Sequence, residues 1–367
     1  MGKYDKDRHQ KQLALRYCLA QGYFPCLEVV VNTASDLTNK PEVLTDIDVL
    51  GIENVSDGSL RRIIFDCKSS SRLSAIARAF WASGLMKYTG VDAAFVITGK
   101  PAVFNHRISA LKVDVDLHDE KSFVDLGQTV AQDFNTDTCY QSSLDRWDQV
   151  YDAFDKNAWS KTLFSLCRDV VPLSHSPEQS FRKILSEVRK NKGYFDPGKP
   201  AHRAIAFDAL SYMFVLWSRM GRDFRRIYSP SMRRENFEDA LRLYVWGGHE
   251  SYVIRQAILE SSQRAGMSGE TSVDLQEFPG WSRFVNFAGL IISSPNDIFE
   301  CSHMCRELSI RQLVAHNSDF DKPLKARLKR NDRLAQFTTS AISYFVEACR
   351  LPKDLEKDMH KDVLSFS

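Results

Sequence analysis

Two stretches that fit neighbouring β-strands carry acidic and basic side chains at a spacing suited to phosphate-ester chemistry. The first, DIDVL at 46–50, alternates acidic and apolar residues, and the second, RIIFDCK at 62–68, is an apolar run with a charged end. Side chains two apart on a strand share a face, which places Asp66 beside Lys68 and the two acids of the first stretch beside each other. If the strands pair, two or three carboxylates and one ammonium group occupy one surface.

This combination suits hydrolysis of a phosphate ester. Two carboxylates hold a hard divalent cation, usually Mg²⁺, which keeps several waters and takes phosphate oxygens as its remaining ligands. A lysine beside the ion orients or deprotonates the attacking water, or stabilises charge that develops on the phosphate. The pattern therefore predicts a hydrolase that uses Mg²⁺ or Mn²⁺.

Asp48, followed by Asp66-Cys67-Lys68 at the end of the next apolar strand, resembles the metal-binding motif of the PD-(D/E)XK nucleases, the restriction-endonuclease-like superfamily. The resemblance covers about the first third of the chain and implies the core order of that family: helix, three strands, helix, strand. It implies that Asp48 and Asp66 bind the metal, that the Cys67 carbonyl assists, and that Lys68 is the catalytic lysine. Glu28 is either a further acid at the metal or a solvent-facing strand residue. The competing interpretation is an exposed hairpin with solvated charges.

Composition limits the class of protein. The chain has 367 residues, of which 43% are hydrophobic and 26% charged, as in globular proteins, and its length suits about two domains. A formal net charge of +2 means that any nucleic-acid affinity must come from local patches. Eight scattered cysteines, with no apolar leader and no long apolar run, predict reduced thiols, no signal peptide, no membrane span and a cytoplasmic location.

The hydrophobic pattern changes near residue 122, where strand-like runs give way to long amphipathic segments. We therefore predict an α+β chain with a restriction-endonuclease-like α/β domain at 1–121. A mainly α-helical domain at 122–367 would recognise substrate, bind a partner or mediate assembly. Predicted strands in the first domain lie at 24–31, 46–50, 62–68, 92–98 and 112–117.

An arginine-rich stretch at 217–234 is the best candidate for nucleic-acid contact in the second domain. Arginine grips phosphates, and the interleaved aromatic residues Trp217, Phe224 and Tyr228 offer faces for base stacking. Ordinary solvated or protein-contacting surface is the alternative. The arginines are Arg219, Arg222, Arg225, Arg226, Arg233 and Arg234.

Arg311 and His316 resemble the catalytic motif of HEPN ribonucleases. The resemblance implies RNA cleavage without a metal, usually across a dimer of helical domains. A spacing of five puts the two side chains about 140° apart on a helix. A helix whose Leu313 and Val314 face a core explains the same residues.

The preferred hypothesis is a metal-dependent endonuclease that hydrolyses phosphodiester bonds, in DNA rather than RNA. The resemblance associates such enzymes with restriction or antiviral defence. A metal-independent ribonuclease that uses Arg311 and His316, and a non-catalytic nucleic-acid-binding or assembly protein, are the two alternatives. A homo-oligomer and a partner subunit both stay open.

Overall fold

The computed structural model describes residues 6–33, 42–69, 74–264 and 278–366. It divides into two compact units, which are described separately. The first comprises the described parts of Met1–Lys156, Cys167–Leu173 and Leu313–Pro323, and the second those of Asn157–Leu166, Ser174–Gln312 and Leu324–Ser367. The chain is α+β, as predicted, with its sheet in the first unit and mostly helices afterwards.

The first unit contains a five-stranded mixed sheet in the order β1-β2-β3-β4-β5. Its elements are α1 (Arg8–Ala20), β1 (Phe24–Asn32), β2 (Val43–Asn54), β3 (Leu60–Lys68), α2 (Ala75–Thr89), β4 (Ala93–Thr98), α3 (Phe104–Ala110), β5 (Val115–Asp119), α4 (Glu120–Val130) and α5 (Leu144–Lys156). Strands β1, β2 and β3 pair antiparallel, whereas β3, β4 and β5 pair parallel. The predicted order of helix, three strands, helix and strand is confirmed.

A tight turn joins β2 to β3, as the sequence Asp57-Gly58-Ser59 indicates. Gly58 has a φ of 80°, a conformation that glycine adopts without steric cost, and the Asp57 carboxylate accepts a 2.8 Å hydrogen bond from the Ser59 N–H. The pairing of Val49 with Phe65 then sets the register that brings the acidic end of β2 beside the end of β3.

Aromatic packing fixes the helices on this sheet. Phe65 and Phe95 stack with their ring centroids 5.1 Å apart, and Tyr17 from α1 contacts both rings. Phe123 from α4 is fully buried against the same cluster. Residues beyond 121, up to Lys156, belong to the first unit, which therefore continues past the predicted boundary at 121/122.

The remaining helices lie in the second unit or in the segments that connect it to the first. They are α6 (Lys161–Ser165), α7 (Pro177–Lys190), α8 (Pro200–Ile227), α9 (Arg234–Val245), α10 (His249–Arg264), α11 (Trp281–Ile292), α12 (Pro295–Arg311), α13 (Ser318–Arg330), α14 (Asp332–Cys349) and α15 (Lys353–Leu364). The long helix α8 is buried along most of its length, as expected of a central helix that neighbours surround. None of the helices in the described ranges has both the length and the apolarity to cross a lipid bilayer.

A closed ion pair lies in the core of the second unit. Arg306 on α12 donates to the Asp208 carboxylate on α8, and each side chain is only 2% exposed. The guanidinium also lies over the Tyr212 ring, 4.6 Å from its centroid. Burial raises the pKa of Asp208, and the adjacent arginine opposes this effect.

Candidate metal centre

The carboxylate of Asp48 lies where β2 separates from β3. Asp48 precedes Val49, which pairs with Phe65 at the end of the β2–β3 ladder, and the Asp48 side chain is 4% exposed. The Cys67 N–H donates a 2.9 Å hydrogen bond to Asp48 Oδ2, so the carboxylate occupies the position of a missing ladder partner. Local strand geometry therefore holds this acid rigidly.

Lys68 joins the two predicted acids. Its Nζ lies 3.0 Å from Asp48 Oδ2 and 3.8 Å from Asp66 Oδ1, and the side chain is 20% exposed. The three predicted side chains therefore converge on one face of the hairpin. Burial lowers the pKa of Lys68, but the neighbouring carboxylates outweigh burial and leave the pKa above its usual value.

An arginine from α2, Arg78, binds the carboxylate of Asp66. Both Arg78 Nε and Arg78 Nη2 donate to it, the first at 2.8 Å, and the Asp66 side chain is 3% exposed. Burial raises the pKa of Asp66 against the opposing effect of Arg78. Asp66 therefore forms a bidentate ion pair with Arg78 and a second ion pair with Lys68.

A different set of acids has the spacing of metal ligands. Three carboxylate oxygens, one from each acid, lie within 4.8 Å of one another. The acids are Glu28, Asp46 and Asp48. Oxygens around one Mg²⁺ at about 2.1 Å are separated by up to about 4.2 Å, so small side-chain rotations suffice to enclose an ion. Asp46 is exposed, which opens this cluster to solvent.

Glu28 occupies an unusual backbone conformation for a strand residue. Its φ is 52°, although its neighbours Leu27 and Val29 pair regularly with β2. A left-handed conformation costs a residue with a side chain about 1–2 kcal/mol. The backbone thus directs this carboxylate toward Asp46 and Asp48, and burial, together with these two acids, raises the pKa of Glu28.

A lysine from α1 lies against the same acids. Lys11 contacts Glu28 directly, its Nζ lies 3.3 Å from Asp48 Oδ1, and the side chain is 3% exposed. Burial lowers the pKa of Lys11, but Asp48 and Glu28 outweigh burial and raise the pKa overall. The first helix therefore contributes a buried cation that no motif predicted.

The assembled cluster has more negative than positive groups. Lys68 is also 3.6 Å from Asp7, which adds a further acid at the edge. If every group is ionised, five carboxylates face three cations among the residues that the structure describes, an excess of two negative charges there. The acids are Asp7, Glu28, Asp46, Asp48 and Asp66, and the cations are Lys11, Lys68 and Arg78.

The predicted ligand set and the geometric set share one residue. The prediction named Asp48, Asp66 and Cys67, whereas the structure gathers Asp48 with Glu28 and Asp46. Cys67 contacts Asp48 through its backbone N–H, and its thiol is fully buried. The alternation of Asp46 with Asp48 in the sequence already placed both acids on one face, and this signal could have identified Asp46.

The sequence carries a weaker signal for Lys11. Lys11 lies one helical turn from Ala14 and Leu15, on the buried face of α1, where a charge requires a partner. Arg78 on α2 binds Asp66, and its guanidinium lies over the Trp81 ring, 4.3 Å from the centroid.

The arginine-rich stretch lacks most of the aromatic surface that the sequence indicated. Trp217 and Phe224 are at most 1% exposed and pack in the helical core, which removes their faces from contact with bases. Arg219 donates to the backbone carbonyls of Ser174 and His175 at 2.6 and 2.8 Å. Four of the six predicted arginines are exposed, namely Arg225, Arg226, Arg233 and Arg234, and Arg222 is half-buried.

Arg311 and His316 do not share a helix. The helix α12 ends at Arg311, and His316 lies in the connection that follows. Arg311 belongs to the second unit and lies over the Phe366 ring, 4.7 Å from the centroid, whereas His316 belongs to the first unit. The predicted angular relation on one helix is therefore wrong.

Comparisons of the chain with protein-family models, curated proteins and solved structures found no match. The functional argument consequently depends on the geometry of the cluster itself.

Proposed function

We propose that the first unit is a metal-dependent endonuclease that hydrolyses phosphodiester bonds, with DNA as the preferred substrate and a restriction-endonuclease-like core. The observation that supports this proposal most strongly is the excess of carboxylates around Lys68 at the end of β2 and β3. An excess of two negative charges among the described side chains of one site suits a divalent cation.

The donor set fits Mg²⁺ or Mn²⁺. Glu28, Asp46 and Asp48 offer hard oxygen ligands, and the exposure of Asp46 provides the open side that substrate and water require. The bound ion would polarise the phosphate and lower the pKa of a coordinated water.

The neighbouring cations have distinct roles in this proposal. Lys68 lies within reach of both Asp48 and Asp66, so its ammonium group is positioned to stabilise charge on a phosphate held at the ion. Arg78 fixes Asp66, and Asp66 in turn orients Lys68. Asp66 thereby acts as a positioning residue for the lysine, and Lys11 offsets one of the two negative charges of Asp48 and Glu28 before the ion binds.

Nicking of supercoiled plasmid DNA tests this proposal. We expect the wild-type chain to convert plasmid to the open-circular form with Mg²⁺ or Mn²⁺, and we expect EDTA to abolish the reaction. Asp48→Asn and Lys68→Met should each lower the rate at least about 100-fold, because each removes a charge that contacts the reacting centre.

Glu53→Gln is the matched control. Glu53 is an acid on the same strand, but it pairs with Arg61 outside the cluster at 3.6 Å. This variant should keep wild-type activity. Turnover that persists in excess chelator, or in Asp48→Asn, would contradict the proposal, and salt-dependent DNA binding without any cleavage would favour a non-catalytic binding protein.

Other features support a place for this activity inside the cell. All eight cysteines are free thiols, which suits the reducing cytoplasm.

The proposed contacts with the phosphate backbone are exposed arginines at the end of α8 and around the start of α9. They are Arg225, Arg226, Arg233 and Arg234.

A further inference from the structure

The second unit contains a cavity of about 470 Å³ whose charged lining is entirely basic among the described residues. A cavity of this size falls within the range of small-molecule sites. Its cations come from the middle and the end of α7, from the short 3₁₀ turn that follows this helix, and from α10. They are Arg182, Arg189, Lys190, Lys192 and Arg255.

Two of these arginines are held around one indole. The Arg255 guanidinium lies over the Trp246 ring, 3.4 Å from its centroid, and that of Arg182 is 5.8 Å from the same centroid. Burial lowers the pKa of both arginines; Glu178 opposes this effect at Arg182, and the proximity of Arg182 lowers the pKa of Arg255 further. An anion bound beside the two guanidinium groups would be attracted by both charges.

Helix-end electrostatics explain only part of this arrangement. Arg189 and Lys190 lie in the last turn of α7, where cations interact favourably with the helix dipole. Arg182 is more than one turn earlier and donates to the Val245 carbonyl at the end of α9, and Arg255 is in the middle of α10. Two separate helices, α7 and α10, therefore direct cations at one space.

The apolar part of the lining identifies the class of anion. Trp246 and Phe278 meet edge to face with centroids 5.5 Å apart, and Leu185 and Pro279 complete this side. Cations and aromatic rings that line one cavity fit a ligand that carries both phosphates and a planar ring.

We propose that this cavity binds a nucleotide, with its phosphates at the basic residues and its base against the aromatic side. The site is independent of the carboxylate cluster in the first unit and would stand if that cluster had no nuclease activity. The nucleotide has two sources with the same chemistry, a free nucleoside triphosphate and the 5′-phosphorylated end of a single strand.

Isothermal titration calorimetry on the full chain in EDTA tests the site with four probes: adenosine triphosphate, guanosine triphosphate, tripolyphosphate and a 5′-phosphorylated single-stranded decanucleotide. We expect at least one nucleotide probe to bind at least about tenfold more tightly than tripolyphosphate, because the aromatic side contacts only the base. Tighter binding of a triphosphate identifies the free nucleotide as the source, and tighter binding of the decanucleotide identifies a strand end.

The double variant Lys190→Gln/Lys192→Gln should weaken nucleotide binding at least about tenfold, since it removes two charge-assisted contacts. Arg255→Gln tests the same loss from a different helix. Lys183→Gln is the matched control, because Lys183 is exposed on α7 but does not line the cavity. Its affinity should equal that of the wild type.

Three results would overturn the proposal. The first is that no nucleotide probe binds at 1 mM, a concentration that corresponds to a binding free energy of about −4 kcal/mol. The second is equal affinity for tripolyphosphate and the nucleotides. The third is unchanged affinity in both pocket variants. Thermal unfolding of each variant shows that it is folded, so a loss of binding reflects the site.

Discussion

The two units handle buried charge in opposite ways. In the helical unit, Asp208 and Arg306 form an ion pair that is closed to solvent, with both side chains 2% exposed. In the first unit, Asp48 and its neighbours form a cluster in which carboxylates outnumber cations among the described residues and Asp46 is exposed. A closed ion pair of this kind is sufficient for structure, whereas an open cluster with excess negative charge suits a cation from solution. This difference separates a structural ion pair from a candidate active site.

The largest expected effect concerns the closed pair. Arg306→Met should lower the free energy of unfolding by about 3–5 kcal/mol, because it leaves the Asp208 carboxylate buried without a partner. Urea denaturation measures this loss. The double variant Arg306→Met/Asp208→Leu should recover most of it, and the loss relative to the wild type should be the same with and without Mg²⁺. A single variant that loses less than about 1 kcal/mol would show that water reaches this pair.

A smaller effect, which depends on metal, is expected in the open cluster. Lys11→Met removes the cation between Glu28 and Asp48, so it should lower the free energy of unfolding in EDTA by about 2 kcal/mol. Saturating Mg²⁺ should restore part of that stability, because the ion replaces the missing positive charge. Denaturation with and without Mg²⁺ provides the comparison. The same loss in both conditions would remove the distinction between the two units.

The smallest effect concerns the backbone at Glu28. In an ordinary strand, alanine is more stable than glycine by about 0.5–1 kcal/mol. At a φ of 52° this order should reverse, so that Glu28→Gly unfolds at a higher urea concentration than Glu28→Ala. Both variants lose the same carboxylate, and each is the control for the other. The ordinary order would show that Glu28 is not strained.

Local sequence patterns predicted the sheet and the centre of the site. The alternation in β2 and the run that ends at Lys68 placed Asp48, Asp66 and Lys68 correctly on one face, since strand periodicity is local. The Asp57-Gly58-Ser59 turn fixed the pairing. These features depend on neighbouring residues alone, which is why one sequence was sufficient.

Features that depend on distant packing could not be predicted in the same way. Lys11 reaches Asp48 only because α1 packs on the sheet, and Arg78 reaches Asp66 only because α2 does. The helical unit shows the opposite error. Trp217 was predicted to be accessible, but neighbouring helices bury it, and helix α12 ends before His316. Charge and aromatic patterns do not by themselves show which faces neighbouring helices cover.

A titration with Mn²⁺, followed by electron paramagnetic resonance of the free ion, tests the central claim most directly. The proposal predicts at least one bound ion per chain, at least about tenfold weaker binding in Asp48→Asn and Asp46→Asn, and wild-type affinity in Glu53→Gln. Absence of bound Mn²⁺, or wild-type affinity in both Asp48→Asn and Asp46→Asn, would contradict the claim that the excess carboxylates form a metal site.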